Sequence, residues 1–198
     1  DANAIARIEI YKGPEASIFG ANTGGAVLIG TPLANSNQVN LGLTAGSFGL
    51  LHQTASINQV YQNYKFNLTQ GYQQSNGYRE NSALKRKYIQ TSHLWDYSAK
   101  GQLKAFVFYS DLNYQTPGGL TAAQLAQNPK AARPATPTLP GAVTQQAAIY
   151  NKTFFGGLSN SLQMNANLKH VMAFFTSYTD FKNPFITNYE KRNESTIG

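Results

Sequence analysis

From residue 37 onward the chain consists of long segments in which apolar and polar residues alternate with a period of two, the pattern of a strand with two unlike faces. Val39, Leu41, Leu43 and Ala45 share one face, with Asn40, Gly42, Thr44 and Gly46 opposite; Tyr64, Phe66 and Leu68 face away from Lys65, Asn67 and Thr69. Further strands are expected over residues 50–59, 87–97, 102–115, 152–162 and 167–180, with another starting near Glu190. Many of these reach the roughly 9–11 residues that a tilted strand needs to cross a bilayer, whereas strands of soluble domains are nearer 5–6.

The connections carry a second signal. After a tight turn at 47–49 they alternate: short at 60–63, longer at 75–86, short at 98–101, very long at 116–150, short at 164–166, and longer again after Phe181. Short turns on one side and long loops on the other mark a bacterial outer-membrane barrel. Alternation by itself does not decide the matter, because a solvated sandwich face is polar too. Composition points the same way. Charged residues make up 13% of the chain, against about 25% in a typical soluble domain. No apolar run approaches the roughly 20 residues of a membrane helix. With 12 Tyr and 11 Phe, the chain has material for aromatic girdles.

Before residue 37 the pattern differs. Residues 5–12 read as a short strand stopped by Gly13-Pro14, residues 15–20 as one helical turn, and residues 21–25 as a tight Gly-rich loop. The unbroken apolar run at 26–30 reads as a strand buried on both sides. Residues 32–36 are a linker, and a domain boundary is placed there. The first ten residues have neither the basic start nor the apolar core of a signal peptide, so the chain is expected to be a piece of a longer protein.

The net charge of +7 is scattered, with a single cluster at Lys85-Arg86-Lys87 that reads as a solvated loop edge. Nucleic acid is therefore not an expected partner; anionic ligands or lipid headgroups suit the balance better. The chain has no cysteine, so neither disulfides nor thiolate metal sites contribute. His52, His93 and His170 lie on separate strands without metal-ligand spacing, and Ser17 lacks a nucleophile-elbow pattern. No catalytic residues, cofactor or resident metal are expected. In the long connection, Thr121 caps a short helix ending before Pro129, and the three prolines of 131–141 keep that stretch extended. Arg133 is the only charge between Lys130 and Lys152, and its planar fork could take an anionic ligand in bidentate fashion.

The run Ile8-Glu-Ile-Tyr-Lys-Gly-Pro-Glu-Ala-Ser-Ile-Phe-Gly-Ala-Asn-Thr-Gly-Gly-Ala-Val-Leu-Ile-Gly-Thr31 resembles the end of the plug domain in TonB-dependent outer-membrane receptors. Gly46-Ser-Phe-Gly49 looks like that family's first barrel hairpin. Thr116-Pro-Gly-Gly-Leu-Thr121, with Asn128-Pro129 and Ala132-Arg133-Pro134, is similar to an extracellular loop of the receptors for ferric siderophores and ferric citrate. The resemblance implies an all-β chain that is part of a large antiparallel transmembrane barrel of the 22-stranded class, preceded by the C-terminal part of an α+β plug. Residues 1–31 would close the plug, 32–36 would link, and 37–198 would supply the first seven or eight strands, with the long loop at 116–150 outside the cell.

It further implies active import of a scarce ligand, a ferric chelate in first place, with TonB, ExbB and ExbD engaged through an N-terminal part outside this sequence. Cobalamin, haem or a glycan are the other cargoes open to such a receptor. A plug apex at Phe19, Asn22 and Thr23 would touch ligand. The family commonly has Tyr where Phe19 stands, which removes a phenolic hydrogen bond and leaves stacking. Arg7, Glu9 and Lys12 would pair with charges on the inner barrel wall and lock the plug. Gly13, Gly20, Gly24 and Gly25 would permit unusual backbone angles or close approach to the wall. The rival from another class is a soluble β-rich binding domain with a closed core. The barrel reading instead requires a continuous apolar band on one surface and an inward face of Asn, Thr and Gln.

Overall fold

The computed structural model describes residues 5–13, 24–31, 33, 36–184 and 189–198. It contains two antiparallel sheets. In the first, β1 (Arg7–Lys12) pairs with β2 (Gly25–Gly30). The apolar run of β2 was expected to be buried on both sides, but Val27 and Ile29 are each 60% exposed. A lone two-stranded sheet has no second layer within the described residues to cover them.

The second sheet is an eight-stranded meander in which every strand pairs with its neighbours in sequence. Its strands are β3 (Gln38–Gly46), β4 (Leu50–Tyr61), β5 (Tyr64–Ser75), β6 (Leu84–Ser98), β7 (Gly101–Gln115), β8 (Ala148–Gln163), β9 (Lys169–Pro184) and β10 (Tyr189–Ile197). Two short helices, α1 (Ala122–Gln127) and α2 (Ala142–Gln145), interrupt the connection between β7 and β8. The strands of 15 and 16 residues at the centre exceed what a soluble sheet needs and suit a tilted bilayer crossing with overhang.

Hairpin geometry sorts the connections to two ends. At one end the turns are tight: Tyr61 pairs directly with Tyr64 across Gln62-Asn63, and Ser98 with Gly101. Asp96 N donates to Asn63 O at 2.8 Å and Gln163 N to Lys100 O at 2.8 Å, tying these turns laterally. At the other end the turn at 47–49, with Phe48 and Gly49 both at positive φ (59° and 66°), matches the twist of its strands. The longer connections 76–83 and 116–147 gather around it. The segregation expected from loop lengths is therefore the arrangement the strands produce.

Strand register divides the sheet into two unlike faces. Tyr88 and the buried polar side chains of the sheet, Asn58, Asn67, Thr69, Gln90, Ser92 and Ser110, all fall on one face, which is therefore the concave one. It is held by polar contacts such as Asn67 Nδ2 to Asn58 Oδ1 at 2.7 Å and Thr69 Oγ1 to Asn67 Oδ1 at 3.3 Å. On the convex face, Leu41 and Leu43 are 81% and 73% exposed, in line with Ile57, Leu68, Val107, Leu158 and Phe174 across the sheet. Two sets of aromatic rings border this apolar band. Tyr64 is opposite Trp95 toward the tight turns, and Tyr109, Phe154 and Tyr178 lie in one row toward the long loops. Six residues separate Leu103, in the row of Tyr64 and Trp95, from Tyr109 along β7, about 20 Å of strand and roughly 16 Å of height at a tilt near 40°, within the roughly 25 Å apolar belt of an outer-membrane barrel.

Candidate ligand-capture and plug-seating surfaces

The long-loop end is an ordered cluster of backbone carbonyls pinned by side chains. Arg79, on the 76–83 connection, donates from Nε to Ala131 O at 3.0 Å and from Nη2 to Gly118 O and Ala131 O at 2.9 Å each. Its neighbour Glu80 accepts from Ala132 N at 3.2 Å. Asn81, held at φ 53°, donates its side-chain amide to Thr116 O at 3.0 Å and Ala147 O at 2.8 Å, the two feet of the long connection. Tyr78 packs edge-on against Phe48 at 5.3 Å and lies under Lys130 Nζ at 5.8 Å. Buried Ala132, Ala142 and Ala147 form a small core of its own. A connection this long is uncommon in a compact domain without a functional reason, and this one is cross-braced from the 76–83 connection.

Within it, α1 begins at the Thr121 cap the sequence announced, which the structure completes as a capping box: Gln124 N donates to Thr121 Oγ1 at 3.3 Å and Thr121 N to Gln124 Oε1 at 2.9 Å. Arg133 sits beside Gly118, whose φ of 73° and lack of a side chain admit it; a Cβ there would lie 2.8 Å from Arg133 Cβ. The Arg133 guanidinium donates to Pro134 O at 3.2 Å and Pro140 O at 2.7 Å, so it braces the proline-rich stretch with part of its fork. Sequence reading missed Arg79 and Asn81. Their partners are main-chain carbonyls 35 to 66 residues away, which leave no mark in residue type.

The concave wall departs from the expected Asn, Thr and Gln lining. Phe106, Phe155 and Phe175 stack along β7, β8 and β9, with ring centres 5.9 Å and 6.3 Å apart. The glycine at 157 lies between Phe106 and Phe175 in the register and leaves room for the diagonal contacts. The chain leaving β2 crosses here: Thr31 and Leu33 border the same hollow as Phe106 and Phe175, and Ser92 Oγ donates to Thr31 Oγ1 at 3.3 Å. An apolar patch on a polar wall is thus bordered by Thr31 and Leu33, on the chain leaving β2.

The other expected residues divide as follows. Arg7 Nε contacts Glu9 Oε1 at 3.0 Å and Tyr11 OH donates to Glu9 Oε2 at 3.1 Å, so the ion pair seen for these residues runs along β1. Gly13 and Gly25 hold positive φ of 70° and 132°, and a side chain on Gly25 would run into the Tyr11 carbonyl. A Cβ on Gly24 would meet nothing. Phe19, Gly20, Asn22 and Thr23, with the helical turn expected at 15–20, lie outside the described residues, as does most of the 32–36 linker. Both ring nitrogens of His93 have hydroxyl partners, Tyr64 at 2.6 Å and Thr91 at 2.9 Å. Among the described residues no group of His, Asp and Glu could hold a metal.

No family model and no curated protein matches the chain. Solved structures do. The ferric citrate transporter FecA superposes over 96% of this chain and 29% of its own, with a TM-score of 0.77 and 16% identity. The ferric-catecholate import receptor Fiu of E. coli K12 matches over 100% of this chain and 34% of its own, with a TM-score of 0.67 and 12% identity. The siderophore receptor PiuA of Acinetobacter baumannii matches over 98% and 30%, with a TM-score of 0.67 and 15% identity. The chain thus spans about a third of the length of these receptors, and over that span it has their fold.

Proposed function

We propose that the chain is part of an outer-membrane active-transport receptor that captures a ferric siderophore or ferric citrate at its long-loop end and imports it with energy transmitted by TonB. Residues 1–31 are the end of the plug, 32–36 the linker and 37–198 the first strands of the barrel. The observation that carries the membrane reading is the convex face, an apolar band between two aromatic borders. A soluble domain would have to leave that band in water, far beyond the few hundred Å² a monomer normally exposes. The cargo reading rests on the loop resemblance and on fold neighbours described as ferric citrate and siderophore proteins.

In this scheme nothing covalent happens to the ligand, and no cofactor takes part. The loop cluster around Arg133 and the plug apex at Phe19, Asn22 and Thr23 provide the contacts, and the β1 charges Arg7, Glu9 and Lys12 hold the plug until TonB pulls. Deleting the gene and following growth and labelled-iron uptake under iron limitation tests the assignment. Loss of uptake restored by the intact gene supports it; normal uptake of every ferric chelate tried rejects iron as the cargo and redirects the search to another scarce ligand.

A further inference from the structure

On the concave face Thr54 stands between two glycines. Its register partners are Gly42 on β3 and Gly71 on β5, so the wall carries no side chain on either flank of it. A Cβ on Gly42 would lie 2.5 Å from Thr54 Oγ1, and one on Gly71 would run into the Tyr88 ring, which lies across that glycine. Beside these gaps is a hollow of about 280 Å³ bordered by Asn40, Thr54, Ser56, Thr69 and Tyr88. Its border is rich in hydroxyls and has no charge. Thr69 donates to Asn67 Oδ1 at 3.3 Å, and Ser56 Oγ accepts from Asn40 Nδ2 at 3.2 Å and keeps its own proton. The Thr54 and Ser56 hydroxyls can therefore donate to a ligand.

Charge on this part of the wall has one sign. Between the row of Arg86 and the row of Lys104, the concave side chains of β3 to β7 include Arg86, Lys65 and Lys104 and no Asp or Glu. Arg86 is toward the long loops, its guanidinium 5.0 Å from the centre of the Tyr88 ring, with Gln73 and Leu112 as its register partners. Lys65 and Lys104 share a row toward the tight turns, on either side of Leu94, two strand spacings or about 10 Å apart. Eight residues of β6 separate the Arg86 row from that of the lysines, about 27 Å of strand and roughly 20 Å of height at a tilt near 40°. The rows of Thr54 and Ser56 come directly after that of Arg86, so an anion moving from Arg86 toward the lysines meets the hollow first.

The β7–β9 part of the wall is different. Phe106, Phe155 and Phe175 stack there, and Thr31 and Leu33 border the patch. Hydroxyls and cations lie on one side of the concave wall and rings on the other. Within a narrow lumen, walls of low dielectric constant strengthen the field of the cations, which favours an anionic solute on the β3–β6 side.

We propose that the hollow at Thr54 is a transit site for a polycarboxylate chelate passing through the lumen from the loop end toward Lys65 and Lys104. Thr54 and Ser56 donate to its oxygens, Arg86 supplies positive charge beside them, and the lysine pair draws the anion onward. The inference rests on the import reading above and narrows the cargo to an anionic, oxygen-rich chelate.

The chain has no cysteine, so a single thiol reports on its own position. In energised cells carrying the full-length receptor, Ser56→Cys should react roughly tenfold faster with the anionic sulfonatoethyl methanethiosulfonate than with the cationic trimethylammonioethyl reagent. Millimolar citrate should slow that reaction several-fold. Thr153→Cys, in the same row as Thr54 but on β8, should show neither effect. Adding Arg86→Gln, Lys65→Gln and Lys104→Gln should abolish the charge preference at Ser56→Cys, whereas Arg86→Lys should keep it. Thr54→Val should keep the preference and lose most of the protection by citrate. Equal rates for the two reagents, no protection by citrate, or a thiol that neither reagent reaches overturns the site. Ferric citrate uptake without any charge preference removes the transit site and leaves the import reading. Preference and protection in a receptor that imports no ferric chelate keep the site and reject iron import. Heat-modifiable migration shows whether the barrel of each variant has folded.

Discussion

Asn81 shows how much a single side chain can organise at the loop end. Its amide bridges the two feet of the long connection, and its φ of 53° is one that Asn tolerates better than Ala. Replacing it with Ala removes both bonds and puts a residue less tolerant of the left-handed region there. At about 1 kcal/mol per bond plus a few tenths for the backbone, the loop cluster should lose roughly 2–3 kcal/mol. Asn81→Gly should lose only the bonds. Limited proteolysis of the intact receptor reads this directly: cleavage within 116–147 should quicken more in the Ala variant than in the Gly variant, with barrel migration unchanged. Equal protection in all three proteins would show that Arg79 and Glu80 suffice. None of this anchoring was legible in the sequence, where Asn81 is one polar residue among many, whereas the Thr121 cap was, because capping is a contact between residues three apart.

At the scale of elements, the sheet was legible because its period of two runs through nearly every strand. The ends were less so. β8 was expected to start at 152 and β9 to end at 180, yet they run over Ala148–Gln163 and Lys169–Pro184. Lys182 lies beyond the expected strand end; in the sheet it stands opposite Tyr150 and Lys191, so pairing continues past the charged residues. The helix α2 was missed because it has four residues and no side-chain cap. The aromatic row of the concave wall was missed because alternation assigns residues to faces without saying what crosses them. The faces themselves make a strong prediction. Val107→Arg, in the middle of the convex band, should cost about 2–4 kcal/mol in a folding equilibrium measured in lipid vesicles. Thr179→Arg points to the concave side, opposite Glu194, and should cost far less. Equal penalties would mean the convex face does not meet lipid.

Among the described residues the larger sheet is open, with β3 and β10 as its edges. Within lipid an unpaired strand edge leaves several kcal/mol per orphaned backbone group, so the sheet cannot stand open in a membrane and its edges must be paired. The 198-residue segment expressed alone should aggregate, or stay outside vesicles into which the full receptor inserts; monomeric insertion would mean the edges find each other and the sheet closes as a small barrel. In the proposed receptor, closure by further strands makes the concave wall a lumen and the β1–β2 hairpin a plug element, and there the charge arrangement matters. Glu9 is the acceptor for both Arg7 and Tyr11, so Glu9→Gln leaves a cation on β1 without its neutralising partner. A plug strand with an unbalanced charge should sit less firmly against the wall while the loop cluster, on another part of the chain, keeps its shape. In the intact receptor, Glu9→Gln should therefore change the rate of energised uptake several-fold and leave equilibrium ligand affinity within about twofold, a coupling of roughly 0.4 kcal/mol or less to binding. Uptake equal to wild type would place the plug's hold elsewhere, in the contacts of Thr31 and Leu33 with the Phe106 and Phe175 wall.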